Sequence, residues 1–506
     1  MRESGILMPV SSLPGPYGIG CFGKEAFKFV DFLAQAGQKI WQILPLSPTG
    51  YGDSPYQSCS AFAGNPYFID LDALKEEGLL TAAQLKAEKW GTDPKEVDYG
   101  TLYVSRFKVL RTAYAAWRKQ CAGLHGCSYY FPDDYYAFTL ANEEWLDDYA
   151  LYMALKVANG MKNWVEWDKP YRLRDKKALA AFAAENEEEI GFWKFLQYEF
   201  AIQWKKLKAY ANKQGIEIIG DIPIYVAMDS ADTWANPWLF KLDENNCPTQ
   251  VAGCPPDGFS ATGQLWGNPL YNWEVHRNSG FEWWIKRIEN CFRLYDVVRI
   301  DHFRGFDEYY AIPYGDKTAE HGWWEKGPGI DLFRAVSVRL GARKIIAEDL
   351  GYMTDSVKRL VEESGYPNMK VIEFAFDERD TGNASDYLPH NYPENCVVYT
   401  GTHDNETLLS WFRDITPKER RQVREYLNNF YGSDREICQD LICLVMRSVA
   451  KLCVIPMQDY LYLDNSARMN QPSTLGNNWK WRLIPGQFTE NLQKEMKVLA
   501  KRYGRQ

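Results

Sequence analysis

The strongest constraint on this chain is one short run, Val297-Val298-Arg299-Ile300-Asp301-His302-Phe303-Arg304-Gly305. β-Branched residues lead through alternating charged and apolar positions into a glycine-containing loop, which predicts a buried strand that delivers polar residues at its C-terminal end. Side chains on a strand repeat every second residue, so the Arg299 guanidinium and the Asp301 carboxylate point the same way. Two later runs end alike: Lys344-Ile345-Ile346-Ala347-Glu348-Asp349 and Cys396-Val397-Val398-Tyr399-Thr400-Gly401-Thr402-His403-Asp404. A polar residue closing an apolar strand is also what any exposed strand end looks like. Three acids at three such ends point instead to a shared site.

Around these runs the chain alternates strands with helices. Strands are expected over 5–10, 40–44 and 216–223, then in the runs ending at Asp301 and Glu348, over 369–376, in the run ending at Asp404, and over 453–458; 308–312 is an extra one. A helix over 24–36 places Phe27, Val30 and Leu33 on one face, and one over 192–213 carries Leu196, Phe200, Trp204 and Leu207 as a stripe that returns the chain to the core. Eight strands with acids at C-terminal ends predict an α/β fold, a (β/α)8 TIM barrel spanning 1–506 as a single catalytic unit, with active-site loops at the C-terminal face. Two insertions interrupt it. Residues 70–190 read as amphipathic helices without a good strand. Residues 228–281 are rich in Pro, Gly and Trp and read as a loop-rich cover over the active site, although a surface excursion folded on its own tryptophans would look similar. The Gly-, Pro- and Ser-rich stretch 49–58 follows the second strand, where a site would be built.

Composition narrows the chemistry. A formal net charge of −9 argues against nucleic-acid binding, which needs a basic field. No apolar run approaches the roughly 20 residues of a membrane span, and the N-terminus lacks a signal-peptide core. The eleven cysteines are scattered and odd in number, as expected of reduced thiols in a cytoplasmic protein. No His-Glu-x-x-His spacing occurs, so neither metal nor cofactor is expected. Aromatics make up 15% of the chain, enough to supply stacking platforms for sugar rings, though large cores use them too. Converging carboxylates with aromatics and no phosphate loop suit glycosyl transfer or hydrolysis. One carboxylate attacks the anomeric carbon, a protonated one serves the leaving oxygen, and a third stabilises the oxocarbenium-like state.

The chain also resembles the 4-α-glucanotransferases of glycoside hydrolase family 77 (amylomaltases or disproportionating enzymes). The matching segments, in order, are SLPGPYGIG from Ser12, GYGDSPYQ from Gly50, GDIP from Gly220, PPDGFSATGQLWGNPLY from Pro255, RIDHFRG from Arg299, AEDLG from Ala347 and GTHDN from Gly401. The resemblance implies Asp301 as nucleophile, Glu348 as general acid/base and Asp404 as transition-state stabiliser, with Arg299 keeping Asp301 ionised. It assigns substrate contacts to Ser54, Tyr56, Asp221, Gln264, Trp266, His403 and Asn470, and α-1,4-glucans or maltooligosaccharides as substrates. His302 is expected to pack or support. It implies neither a calcium site nor a separate C-terminal β-domain, since 48 residues (506 − 458) follow the eighth strand. Where many relatives carry an aromatic residue in the Pro255 segment this chain has Gly258, which bears on acceptor stacking and product size and leaves the chemistry untouched. An amylase-like hydrolase shares the fold and the carboxylates, and a non-catalytic glucan-binding barrel shares the fold. The complete set of acids with Arg299 and His403 weighs against the latter. Oligomeric state is not legible.

Overall fold

The computed structural model describes residues 2–50, 52–125, 131–256, 260–351, 353–377 and 384–506. The strands among these residues, in chain order, are β1 (Glu3–Leu7), β2 (Ile40–Gln42), β3 (Glu217–Ile222), β4 (Gln250–Cys254), β5 (Gln264–Pro269), β6 (Val297–Ile300), β7 (Glu308–Pro313), β8 (Trp323–Lys326), β9 (Ile345–Ala347), β10 (Asn368–Val371), β11 (Cys396–Tyr399) and β12 (Leu452–Pro456). Eight of them close a parallel barrel in the order β1-β12-β11-β10-β9-β6-β3-β2. Parallel neighbours need crossovers, and helices supply most of them, including Lys24–Gln35 after β1, Glu187–Lys213 before β3, Glu282–Leu294 before β6 and Ile330–Leu340 before β9. The architecture is a (β/α)8 barrel. After β12 come short turns and the helix Glu490–Arg502, with no further β-domain among the described residues.

Local sequence explains these elements. Lys24–Gln35 buries Ala26, Phe29, Val30 and Leu33, a 3.6-residue stripe, and the chain breaks away at Gly37 in the left-handed region. Glu187–Lys213 buries Leu196, Phe200, Trp204 and Leu207; it opens with three glutamates and closes on a lysine, each sign matched to the helix dipole. In β3, Gly220 is required by close approach, since a Cβ there would lie 2.1 Å from the Tyr295 ring. That leaves the neighbouring Asp221 in register opposite Arg299 of β6.

Several boundaries differ from the sequence reading. The first strand is Glu3–Leu7 and gives way to a 3-10 turn at Val10–Ser12, because Pro9 has no N–H for the ladder. The sixth stops at Val371 and turns into a 3-10 segment, Ile372–Phe376. Asp404 lies in a loop five residues beyond β11 rather than at a strand end. Within 70–190 the helices expected there include Tyr99–His125, Asp133–Ala141 and Glu143–Ala158, the last two broken apart at Asn142.

The largest difference concerns 228–281. This stretch contains β4 and β5, which pair antiparallel with each other and, through β4, with β7 and β8 to make a four-stranded sheet in the order β5-β4-β7-β8. The extra strand at 308–312 is therefore part of this second sheet, which has its own small core of Val251, Tyr310, Ile312 and Ala319. Between β2 and β3 the chain forms helices without a strand among the described residues. No helix among the described residues is long and apolar enough to cross a membrane.

Candidate active site

Asp301 and Glu348 each follow their strand by one residue, on neighbouring strands β6 and β9. Backbone bonds continue the ladder into both positions: Asp301 N–H donates to the Ile222 carbonyl at 3.0 Å, Glu348 N–H to Ile300 at 3.1 Å and Phe303 N–H to the Glu348 carbonyl at 2.8 Å. Such bonds leave the two carboxylates little freedom to drift.

Arg299 ties this side together. Its side chain is 4% exposed, and Nη1 donates to Asp221 Oδ2 at 2.6 Å and to Asp301 Oδ1 at 3.0 Å. Burial works against its charge, but the two carboxylates outweigh that and hold it firmly protonated. Glu348 has different company. Among the described residues its hydrogen bonds come from backbone N–H groups, His302 at 2.6 Å and Leu350 at 2.8 Å. Burial pushes its carboxyl up to about 8, with Arg299 opposing and Asp301 adding to the rise. Burial also raises Asp301, to about 6, against the direct pull of Arg299; its side chain keeps 28% of its surface open to the cleft, so that desolvation acts on a group still partly wet. The split has a clear direction: the group bonded to arginine is the easier to ionise, and Glu348, more deeply buried and without an arginine bond, keeps its proton longer although its two amide bonds favour the charged form.

Tyr56, Asp221 and His403 form the adjoining wall. The Tyr56 hydroxyl donates to Asp221 Oδ2 at 2.8 Å and lies 3.5 Å from His403 Nδ1, and the two rings stack with centroids 5.1 Å apart and 18° between planes. Ser54 is placed one step back: its hydroxyl accepts the Tyr56 N–H at 3.2 Å, so it shapes the turn that presents the tyrosine. Asp404 stands on the far side with its side chain 45% exposed. Its Oδ1 accepts Asn470 Nδ2 at 2.7 Å, and its Oδ2 is 3.5 Å from His403 Nε2. From the second sheet, β5 brings Gln264 and Trp266, joined by an indole N–H to amide oxygen bond of 3.1 Å. The Trp266 ring meets His302 edge-on at 4.9 Å. Burial lowers His302 to about 3, so it stays neutral, and its backbone N–H is the donor to Glu348. Gly258 and its neighbour Phe259 lie outside the described residues. No cluster of three or more side chains suited to a metal ion occurs among the described residues.

Three contributors escaped sequence reasoning. Trp479, in the left-handed region at φ 66°, packs 5.8 Å from Tyr56 and 5.9 Å from His403, backing the stacked pair. A bulky residue held in that conformation indicates that its surroundings over-determine it. The signal was faint: a tryptophan closing the turn-forming run Gly476-Asn477-Asn478. Glu373, buried beneath the Asp404 loop, is raised well above the usual carboxylate range by burial and by Asp459 and Glu406, and it packs close to Gly401, where a Cβ would lie 2.8 Å from its oxygen. Arg468 has no sequence signal at all.

A parallel eight-stranded barrel whose C-terminal mouth gathers acids from separate strands, a buried arginine and stacked rings is the construction of a carbohydrate-active enzyme working through paired carboxylates. The glycoside hydrolase family 77 model, described as 4-alpha-glucanotransferase, matches residues 8–486. The chain belongs to that family, and its activity is 4-alpha-glucan transfer. The 4-alpha-glucanotransferase of Clostridium butyricum is 48% identical over 501 residues, 98% of this chain and 100% of that one. That of Thermus thermophilus is 46% identical over 507 residues, 99% and 98% of the two chains. The amylomaltase of Streptococcus agalactiae, solved in complex with acarbose, superposes with a TM-score of 0.94 at 42% identity and 100% coverage of both chains.

Proposed function

We propose that the enzyme transfers α-1,4-glucan segments with retention, through a covalent intermediate on Asp301. An Asp301 oxygen attacks the anomeric carbon of the donor while Glu348 gives its proton to the departing 4-oxygen. The 4-hydroxyl of an acceptor glucose or maltooligosaccharide then loses its proton to Glu348 and displaces Asp301 from the same carbon. Both carboxyls return to their starting states. Asp404 stabilises the positive charge that develops on the sugar in each step, Tyr56 and His403 with Asp221 hold the donor ring, and Asn470 orients Asp404. Gln264 and Trp266 receive the acceptor. The observation that carries this reading is the unequal setting of the two strand-end acids, Asp301 on Arg299 and Glu348 on backbone amides. The acarbose complex of the Streptococcus agalactiae amylomaltase supports α-glucan ligands. The cysteines described are free thiols, in keeping with a reducing, cytoplasmic setting.

Transfer prevails over hydrolysis only if an acceptor is positioned by binding while water is kept from the intermediate. Incubation with maltotriose alone tests this. Glucose and longer maltooligosaccharides should appear with little net rise in reducing ends. A rise in step with substrate consumption would reject transfer in favour of hydrolysis.

A further inference from the structure

Asp404 poses a structural problem that Asp301 and Glu348 do not. It sits in a loop five residues past β11, where no ladder bond can fix it. Yet a carboxylate that stabilises transition-state charge must be pre-set to within a fraction of an ångström, or the stabilisation is lost to reorganisation. Its Oδ1 is held by Asn470, which itself belongs to an irregular segment after β12. What locks these two irregular segments to each other therefore decides where Asp404 stands.

We propose that Arg468 is that lock, a positioning residue for Asp404. One guanidinium reaches three partners on both segments. Nη2 donates to the Asp404 carbonyl at 2.8 Å, Nε donates to the Asn470 carbonyl at 2.8 Å, and Nη1 lies 3.8 Å from the Glu406 carboxylate. The backbones of Asp404 and of its partner Asn470 are thus held by one planar fork, whose geometry an ammonium group cannot reproduce. A further backbone bond, Asn470 N–H to the His403 carbonyl at 3.1 Å, closes the arrangement. Within the Asp404 loop, Asn405 Oδ1 accepts from both the Thr402 N–H at 2.9 Å and the Thr402 hydroxyl at 2.8 Å, making the loop a firm body for the arginine to hold. Arg468 does not bond the Asp404 carboxylate; its contact is with the carbonyl, so its influence on the reaction passes through the placing of Asp404 and Asn470.

The proposal rests on the reading of Asp404 as transition-state stabiliser, and the test separates the two. Kinetics with an activated maltosyl donor would be measured for wild type, Arg468→Ala, Arg468→Lys, Asp404→Asn and the Arg468→Ala/Asp404→Asn double variant, with melting temperatures in parallel. Arg468→Ala should lower kcat by about 30-fold and leave KM within about twofold, since a misplaced Asp404 costs the transition state and not the ground state. Arg468→Lys should recover only part of the loss. In the Asp404→Asn background the same Arg468→Ala change should cost less than about threefold, because residues acting as a unit are not additive. A general structural role would instead multiply the two losses. An Asp404→Asn enzyme within tenfold of wild type overturns the reading of Asp404 and the proposal with it. A crippled Asp404→Asn beside an Arg468→Ala enzyme of wild-type kcat, or losses that multiply in the double variant, overturns the proposal alone.

Discussion

The two sides of the barrel mouth are built by different means. On the β6–β9 side, Asp301 and Glu348 stand one residue past their strands, and main-chain bonds to Ile222 and Ile300 hold them in place. Around the rest of the mouth Asp404, His403 and Tyr56 sit in loops, held by Asn470, Arg468 and the Trp479 ring. Trp266 resembles the second group: it arrives on a small antiparallel sheet outside the barrel and meets the first side at the His302 ring. Under the proposed mechanism, bond making and breaking falls to side chains one residue past barrel strands, whereas charge stabilisation and acceptor choice fall to side chains on loops and on the second sheet, whose ties can be tuned.

If that division is right, substitutions should rank by side. Asp301→Asn should have the largest effect, a fall of several orders of magnitude in kcat, since a neutral amide cannot attack comparably. Activity within tenfold of wild type, by initial-rate assay on maltotriose, would break the comparison at its strongest point.

Glu348→Gln comes next, with an expected loss of about 100-fold or more on maltotriose. The pH profile sharpens this. Activity should decline as pH falls through about 6, where Asp301 takes up a proton, and as it rises through about 8, where Glu348 loses the proton it must donate. Bonding to Arg299 sets the first limb lower, and burial sets the second higher, against the opposing pull of Arg299 and of the two backbone amides. With an activated donor that needs no leaving-group protonation, Glu348→Gln should lack the alkaline limb. An unchanged limb would assign the acid to another group.

Trp266→Ala should do least to the bond-breaking step and most to its outcome. Losing the ring weakens acceptor binding and opens the site to water, so on maltotriose the ratio of transfer to hydrolysis should fall by about tenfold. The three carboxylates stay where they are. An unchanged ratio would remove the second sheet from acceptor selection and leave the strand-side chemistry intact.

The same division explains what could be read in advance. β6, β9 and β11 are short β-branched runs whose burial and periodicity are local properties, so the barrel and the Arg299–Asp301 pair were visible in the sequence. The second sheet was not. Gln250–Cys254 and Gln264–Pro269 contain Gly, Asn and Pro, and they become strands by pairing in a sheet completed by Glu308–Pro313 far along the chain, a tertiary effect that outweighs propensity. Asp404 was visible as an acid after a strand, but its distance from the strand was not, because Thr402 and Asn405 form a side-chain-bonded turn with no periodic signature. Arg468 and Trp479 lie in polar turns where neither helix nor strand spacing applies, and the partners that tie them to the site, Asp404 for the first and Tyr56 and His403 for the second, are more than sixty residues away.

The most direct test of the account is to catch the intermediate. Glu348→Gln treated with an activated maltosyl donor should form the glycosyl-enzyme without needing an acid, yet release it slowly, because no base remains to deprotonate the acceptor. Intact-mass measurement should then show the chain heavier by one maltosyl group, and peptide mapping should place the ester on Asp301. An enzyme that turns over the donor with no adduct at Asp301, or with the sugar on a different residue, would contradict the account.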